Sequence, residues 1–451
     1  MAVVGRPLPR YAGASRWAGA AREYAADPIA LFTRLRAAYP DIVEVNLGRR
    51  QIVLTHNADF AQHMLVTHQK NYAHPTAFRH VYIQARGLSL FTSEGEYWRR
   101  QRRMLQPAFH RDQVAAMDRL ITAEVERSLQ AWAAEAGEFD FQAEARALTL
   151  RTVGRALFGT ALEAGEGRAF RQALDDTVSW ATRRLTALVP WPLSIPTPAN
   201  RRFAQARAEV RGTLLGLIHA RRRLPADAHH DLLHLLVHLR YEDTGEGLTD
   251  EQIISESIGF FFAGHETTAD TLAWTIYLLS THPEAQARVQ AEVDRALAGR
   301  LPRYADLAQL PYSLQVIEEA LRLYPPAWSI SREPLSADQL GEYMVRPGQI
   351  IYIAIYNLHH HPRYWADPER FDPERFSPAG QEQWPKHAYL PFGAGPRMCI
   401  GRPFGLAEAQ LALAAMLGRF TFRVPAGYTA RPHAVFNMGI RDGLPVTVTP
   451  R

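Results

Sequence analysis

The chain has 451 residues, 47% of them hydrophobic, a formal net charge of +5 and a single cysteine. One cysteine excludes internal disulfides and fits a reducing compartment, and without a run of 18 apolar residues no transmembrane anchor is expected. The small positive charge is carried almost wholly by arginine, with Lys70 and Lys386 the only lysines; without a zinc spacing, a phosphate loop or an aromatic–basic motif it makes no case for nucleic acid. The N-terminus lacks the apolar stretch of a secretory signal, so a soluble, cytoplasmic protein is expected. No linker, repeat or low-complexity tract divides the sequence, so residues 1–451 are read as one domain.

The first sixty residues mix a helical stretch at 28–38 with strand-like runs at 42–47 and 50–55. From about residue 59 to residue 322 the periodicity is mostly helical. Within it, Trp98-Arg99-Arg100-Gln101-Arg102-Arg103 places Trp98 and Arg102 one helical turn apart on one face. Arg99, Arg100 and Arg103 fall on other faces, as a solvated surface or a basic docking patch. Residues 188–198 are Pro-rich and apolar between two arginine pairs. They read as a mobile cover between two helices, with a shallow membrane contact as the alternative.

The longest predicted helix follows the capping pattern Thr249 with Gln252 and ends before Pro283. Its roughly 32 residues would span about 48 Å. Most are apolar, but the island Ala263-Gly264-His265-Glu266-Thr267-Thr268 interrupts them. A buried acid and hydroxyl cost free energy unless paired. The helix predicted at 312–323 stops at Pro325-Pro326 and puts Glu319 and Arg322 on one face. Strand signal returns at 349–356 and 445–449. Two similar units follow one another, Asp367-Pro-Glu-Arg370-Phe371 and Phe371-Asp-Pro-Glu-Arg375-Phe376. The expected fold class is mainly α with small β-sheets (α+β).

Cys399 lies in Phe392-Gly-Ala-Gly395-Pro-Arg397-Met-Cys399-Ile-Gly401. Glycines there permit tight turns that bring N–H groups to the sulfur. A helix predicted at 401–420 would point its N-terminal dipole at a thiolate. With Phe392, Gly395, Arg397, Cys399 and Gly401 at their fixed spacing, the chain resembles the cytochrome P-450 superfamily, the haem-thiolate monooxygenases.

The resemblance covers nearly the whole chain. It implies a helix-rich lobe and a small β-rich N-terminal lobe, with haem between the long central helix and the cysteine loop. The cofactor would be haem b (iron protoporphyrin IX), its axial ligand Cys399, with Arg397 toward a propionate. Trp98, Arg102 and Arg332 are further propionate candidates. The island matches the family's oxygen-activation motif: Thr267 would hydrogen-bond the dioxygen species, Glu266 would deliver protons through water, Ala263 would face the haem, and Gly264 would allow close approach. His265 is read as a helix-surface or structural residue. Glu319 and Arg322 match the family's Glu-x-x-Arg, with Arg375 their partner in preference to Arg370. The substrate pocket would draw on Leu88, Leu90, Phe91, Phe262, Ala263, Ala327, Trp328, Ile330, Asn437 and Met438, an apolar set suited to a hydrophobic molecule.

The function implied is insertion of one oxygen atom of O2 into a fatty acid, terpenoid or similar lipid-like substrate. Electrons would come from a separate ferredoxin or flavodoxin with its NAD(P)H reductase, since no fused reductase is seen. A peroxide-driven peroxygenase and a non-catalytic haem sensor or carrier are the rival readings. The Glu266–Thr267 pair argues against the first.

Overall fold

The computed structural model describes residues 5–13, 15, 19–48, 50–134, 137–159, 166–186, 191–229 and 231–451. The chain divides into two compact units: Met1–Pro75, Val125–Leu148 and Thr267–Arg451 form the first, Thr76–Glu124 and Thr149–Glu266 the second.

The first unit is built around a six-stranded sheet. Its order is Arg10–Tyr11, Ile42–Leu47, Arg50–Thr55, Ile350–Ile353, Ile330–Pro334, Tyr72–Ala73. Ile42–Leu47 and Arg50–Thr55 pair antiparallel, Ile42 opposite Thr55. Alternate side chains feed two cores, as a pleat requires. Val43, Val45, Ile52 and Leu54 pack with Ile29, Leu31, Phe32 and Leu35 of the helix Pro28–Ala38. Ile42, Val53, Ile351 and Ile353 pack with Ala58, Met64 and Leu65. Each such burial stabilises by about 1.5–3 kcal/mol. The helix Pro28–Ala38 starts where expected because Asp27 caps Ala30 N–H at 3.0 Å and Pro28 fills the first turn.

The strand predicted at 349–356 ends earlier. Its partner strand stops at Thr55, opposite Ile353, and Ala354 N–H makes the last bond to it, at Thr55 O, 2.8 Å. The apolar run continues as the helix Ile355–His359, with Ile355, Asn357, Leu358 and His359 buried. The helix predicted at 401–420 likewise ends early, as Arg402–Leu417, and Phe420–Arg423 becomes a strand paired with Pro445–Pro450. Glu138–Asp140 completes that three-stranded sheet. The helices Pro283–Leu297 and Pro311–Leu323 also belong to this unit.

The second unit is helical: Thr76–Arg86, Gly95–Leu105, Arg111–Ala116, Glu166–Thr186, Pro198–Arg222 and Leu232–His238 all lie in it. Trp180 and Phe203 stack with centroids 4.0 Å apart. Of the Pro-rich stretch, residues 188–190 lie outside the described residues. The remainder closes onto Asn200, which donates to the carbonyls of Pro192 at 2.9 Å and Ile195 at 2.8 Å and accepts from Trp180 Nε1 at 3.1 Å. Trp191 is 59% exposed there.

The central helix is Asp250–Thr281. The expected capping box is present: Thr249 N–H donates to Gln252 Oε1 at 2.9 Å, and Gln252 N–H to Thr249 Oγ1 at 3.3 Å. Among the described residues no helix is long and apolar enough to cross a membrane.

Candidate active site

Cys399 follows a tight turn. Gly393 and Gly395 take φ of 70° and 68°, the left-handed region that glycine tolerates. A Cβ on Gly395 would overlap the Leu65 carbonyl oxygen, so no other residue fits. Cys399 N–H donates to Phe392 O at 2.9 Å, closing the loop. The side chain of Cys399 is exposed, and the helix Arg402–Leu417 starts three residues on. A Cβ on Gly401 would stand 3.9 Å from the Cys399 sulfur, and one on Gly405 would stand 3.8 Å from Thr268 Oγ1. The start of this helix is thus near the cysteine at Gly401 and near Thr268 of the central helix at Gly405. Phe392 and Arg397 are half-buried, and Arg332 is buried on Ile330–Pro334.

Behind the loop, Glu319 and Arg322 form a wholly buried bidentate pair. Arg322 Nε donates to Glu319 Oε2 at 2.6 Å and Nη2 to Oε1 at 2.7 Å. Arg322 also donates to the carbonyls of His359, Pro368 and Arg370 at 2.9, 2.7 and 3.1 Å. Arg375 Nε lies 3.5 Å from Glu319 Oε1. The structure thus brings the Arg375 side chain to Glu319, whereas Arg370 contributes its backbone carbonyl.

In the middle of the central helix, Phe261, Phe262, His265, Thr268, Ala269 and Asp270 are buried. Ala263 is exposed, and Gly264, Glu266 and Thr267 are half-buried. An accessible stripe of small and polar residues therefore runs along an otherwise buried helix. His265 is a buried structural residue: its Nδ1 bonds Phe261 O at 2.9 Å, and its carbonyl accepts from Thr149 Oγ1 at 2.8 Å.

Two residues of the second unit escaped the sequence reading. The guanidinium of buried Arg86 sits 3.5 Å from the Phe262 ring centroid and 4.8 Å from that of Tyr82. Burial lowers its pKa to about 10, and the charges of Tyr82 and Glu266 pull it back up. Glu266 stands four residues beyond Phe262 on the same helix face. Glu256 accepts Leu90 N–H at 2.8 Å, and burial lifts its carboxyl to about 8. It anchors the loop carrying Leu90 and Phe91, whose ring packs on Phe78 and Tyr82. An acid within the apolar run at 253–262 was a visible signal for Glu256; Arg86 offered none.

Other expectations sort differently. Trp98 is buried and Arg102 half-buried on Gly95–Leu105. Of the proposed docking arginines, Arg99 bonds Glu96 at 2.6 Å. Arg100 bonds Asp243 at 3.0 Å and stacks on Tyr241 at 3.8 Å. Arg103 is exposed. Leu88 and Phe91 are exposed; Leu90, Ala327, Ile330 and Asn437 are half-buried. Trp328 and Met438 are core residues, packed in one cluster with Phe32, and Met438 O accepts Trp274 Nε1 at 3.2 Å. Apolar side chains next to a pocket and in a core look alike in sequence.

A lone accessible thiol at a helix N-terminus suits a metal that brings its other ligands in its own macrocycle. Haem meets that requirement, so the residues present fit it.

The family model described as Cytochrome P450 matches residues 15–437. Cyclooctat-9-en-7-ol 5-monooxygenase of Streptomyces melanosporofaciens is 37% identical over 398 residues, 87% of this chain and 84% of that protein. Pentalenene oxygenase of Streptomyces avermitilis is 33% identical over 403 residues, 88% of each. The crystal structure of the cytochrome P450DA haem domain matches with a TM-score of 0.90 at 27% identity, covering 99% of this chain and 98% of that one.

Proposed function

The chain belongs to the cytochrome P450 family and is a haem-thiolate monooxygenase, and from that premise we propose that it hydroxylates a terpenoid. The observation that carries the monooxygenase chemistry is that Gly401 and Gly405, four residues apart, leave room beside the Cys399 sulfur and Thr268 Oγ1, where added Cβ atoms would stand 3.9 and 3.8 Å away. Support for the substrate class comes from the names of the two Streptomyces relatives.

The haem, when bound, supplies reductive activation of O2, its reactivity enhanced by electron density from the thiolate. Cys399 holds its charge at the N-terminal end of the helix Arg402–Leu417, whose dipole favours it. Arg397 and Arg332 are the cations assigned to the haem carboxylates, and the family pattern gives Trp98 and Arg102 the same task. Thr267 donates or relays a proton at Oγ1, and Glu266 holds the next proton at its carboxylate. Ala263 and Gly264 keep the stripe low, so that reactants lie close to the helix backbone.

The electron donor is read as a ferredoxin or flavodoxin with its NAD(P)H reductase, with Arg103 an exposed cation for an acidic partner. The cytoplasm is the assigned location, where reducing chemistry keeps a single thiol available.

The test is a spin-state titration with cyclic terpenes, terpene alcohols and fatty acids, followed by turnover with NAD(P)H, O2 and a surrogate ferredoxin. A terpene that shifts the spin state and returns with one added hydroxyl is expected. A response to fatty acids alone would overturn the substrate class.

A further inference from the structure

Three consecutive histidines, His359, His360 and His361, follow the sheet strand Ile350–Ile353. All three are buried, yet their partners differ. His360 Nδ1 bonds Tyr356 O at 2.8 Å, within its own helix and the turn after it. His361 Nε2 reaches Pro40 O at 3.4 Å. Only His359 connects two parts of the site.

We propose that His359 is a positioning residue for the Cys399 loop, acting as a neutral imidazole with its proton on Nδ1. The tautomer follows from its partners. Leu390 N–H donates to Nε2 at 2.8 Å, so that nitrogen carries no proton. Nδ1 then donates to Arg322 O at 3.1 Å. Arg322 Nη1 returns a bond to His359 O at 2.9 Å, so the two residues hold each other reciprocally. Full burial, with Arg322 and His360 nearby, keeps the ring neutral, well below the usual histidine range.

From Leu390 the hold passes directly into the loop. Leu390 O accepts Gly393 N–H at 3.0 Å, and Phe392 O accepts Cys399 N–H at 2.9 Å. Tyr389 packs on the His359 ring at 5.3 Å and donates its hydroxyl to Glu318 O at 2.9 Å, a second tie to the helix Pro311–Leu323. His359 is thus the side chain that transmits the rigid Glu319–Arg322 pair to the start of the cysteine turn. Its loss leaves Leu390 N–H without an acceptor at the loop entrance, and the cysteine gains freedom to leave the iron or take up a proton.

The inference rests on Cys399 as the haem ligand. The test compares the wild type with His359→Leu, His359→Gln and His360→Leu. It reads haem per polypeptide and the ratio of thiolate-type to neutral-ligand-type Soret absorbance in the reduced, carbon monoxide-bound protein. In His359→Leu the ratio falls about tenfold, the scale set by one buried amide left unpaired. His359→Gln retains a carbonyl acceptor and an N–H donor and keeps most of the thiolate form. His360→Leu, equally buried but bonded elsewhere, keeps the wild-type ratio. A wild-type ratio in His359→Leu, or an equal fall in His360→Leu, would overturn the positioning role. If His359→Leu does not accumulate, His359→Gln decides: thiolate retained supports the role, thiolate lost refutes it. A wild type with no thiolate band would instead overturn the ligand assignment itself.

Discussion

Glu319 receives two N–H groups of Arg322, at 2.6 and 2.7 Å, and neither side chain reaches solvent. Asp372 N–H adds a third bond to Glu319 at 2.9 Å. Removing one partner of such a pair strands a buried charge, at a cost of about 3–5 kcal/mol. Glu319→Gln is therefore expected to lower stability on that scale and to abolish stable haem incorporation. Arg375→Ala, removing a 3.5 Å neighbour, should cost less. Denaturant unfolding and haem content check both, and normal values in Glu319→Gln would contradict the arrangement.

Glu256 makes stability depend on pH. Its carboxyl is raised from 4.5 to about 8 by burial, so between those values the folded state holds a proton that the unfolded state has lost. Its contribution to stability is full below about 4.5 and falls as pH rises toward 8, by at most about 1.4 kcal/mol per pH unit. Glu256→Gln keeps an acceptor for Leu90 N–H but does not titrate. The stability of this variant relative to wild type should rise between pH 5 and pH 8, as measured by paired unfolding curves. A constant difference would contradict the protonated state.

Thr267→Ala should uncouple NAD(P)H consumption from product and release peroxide if the hydroxyl proposed as the proton relay is the one lost. Arg86→Leu should reduce coupling in the same assay by removing a buried cation that interacts electrostatically with Glu266, and Arg86→Lys should restore part of it. Unchanged coupling in Thr267→Ala would remove its assigned role.

Met438 and Trp328 separate core from pocket. Met438→Ala should cost about 2–5 kcal/mol and leave spin-state titrations little changed in folded protein. Phe91→Ala, at a partly exposed ring, should do the reverse. Thermal unfolding and substrate titration read the two effects.

Local chemistry made much of this readable in sequence. The helical stretch expected at 28–38 and the capping pattern of Thr249 with Gln252 put two helix starts at the right residues. The spacing of Phe392, Arg397, Cys399 and Gly401 identified the loop, and Glu319 with Arg322 shared a predicted face. What escaped depended on long-range partners. Residues 354–356 left the strand where its neighbour ended at Thr55. The choice of Arg375 over Arg370 depended on how two similar units fold back on Glu319. Nothing in three successive histidines distinguished the one that meets Leu390, and a lone arginine at a helix end gave no sign that Arg86 stacks on Phe262.

The most direct test of haem-thiolate chemistry is the difference spectrum of the reduced, carbon monoxide-bound protein, taken beside Cys399→Ser. The wild type should give the red-shifted Soret band of a thiolate ligand, and Cys399→Ser should lose it. A wild-type band at the neutral-ligand position, or folded protein without haem after expression with ample haem, would contradict Cys399 as the axial ligand.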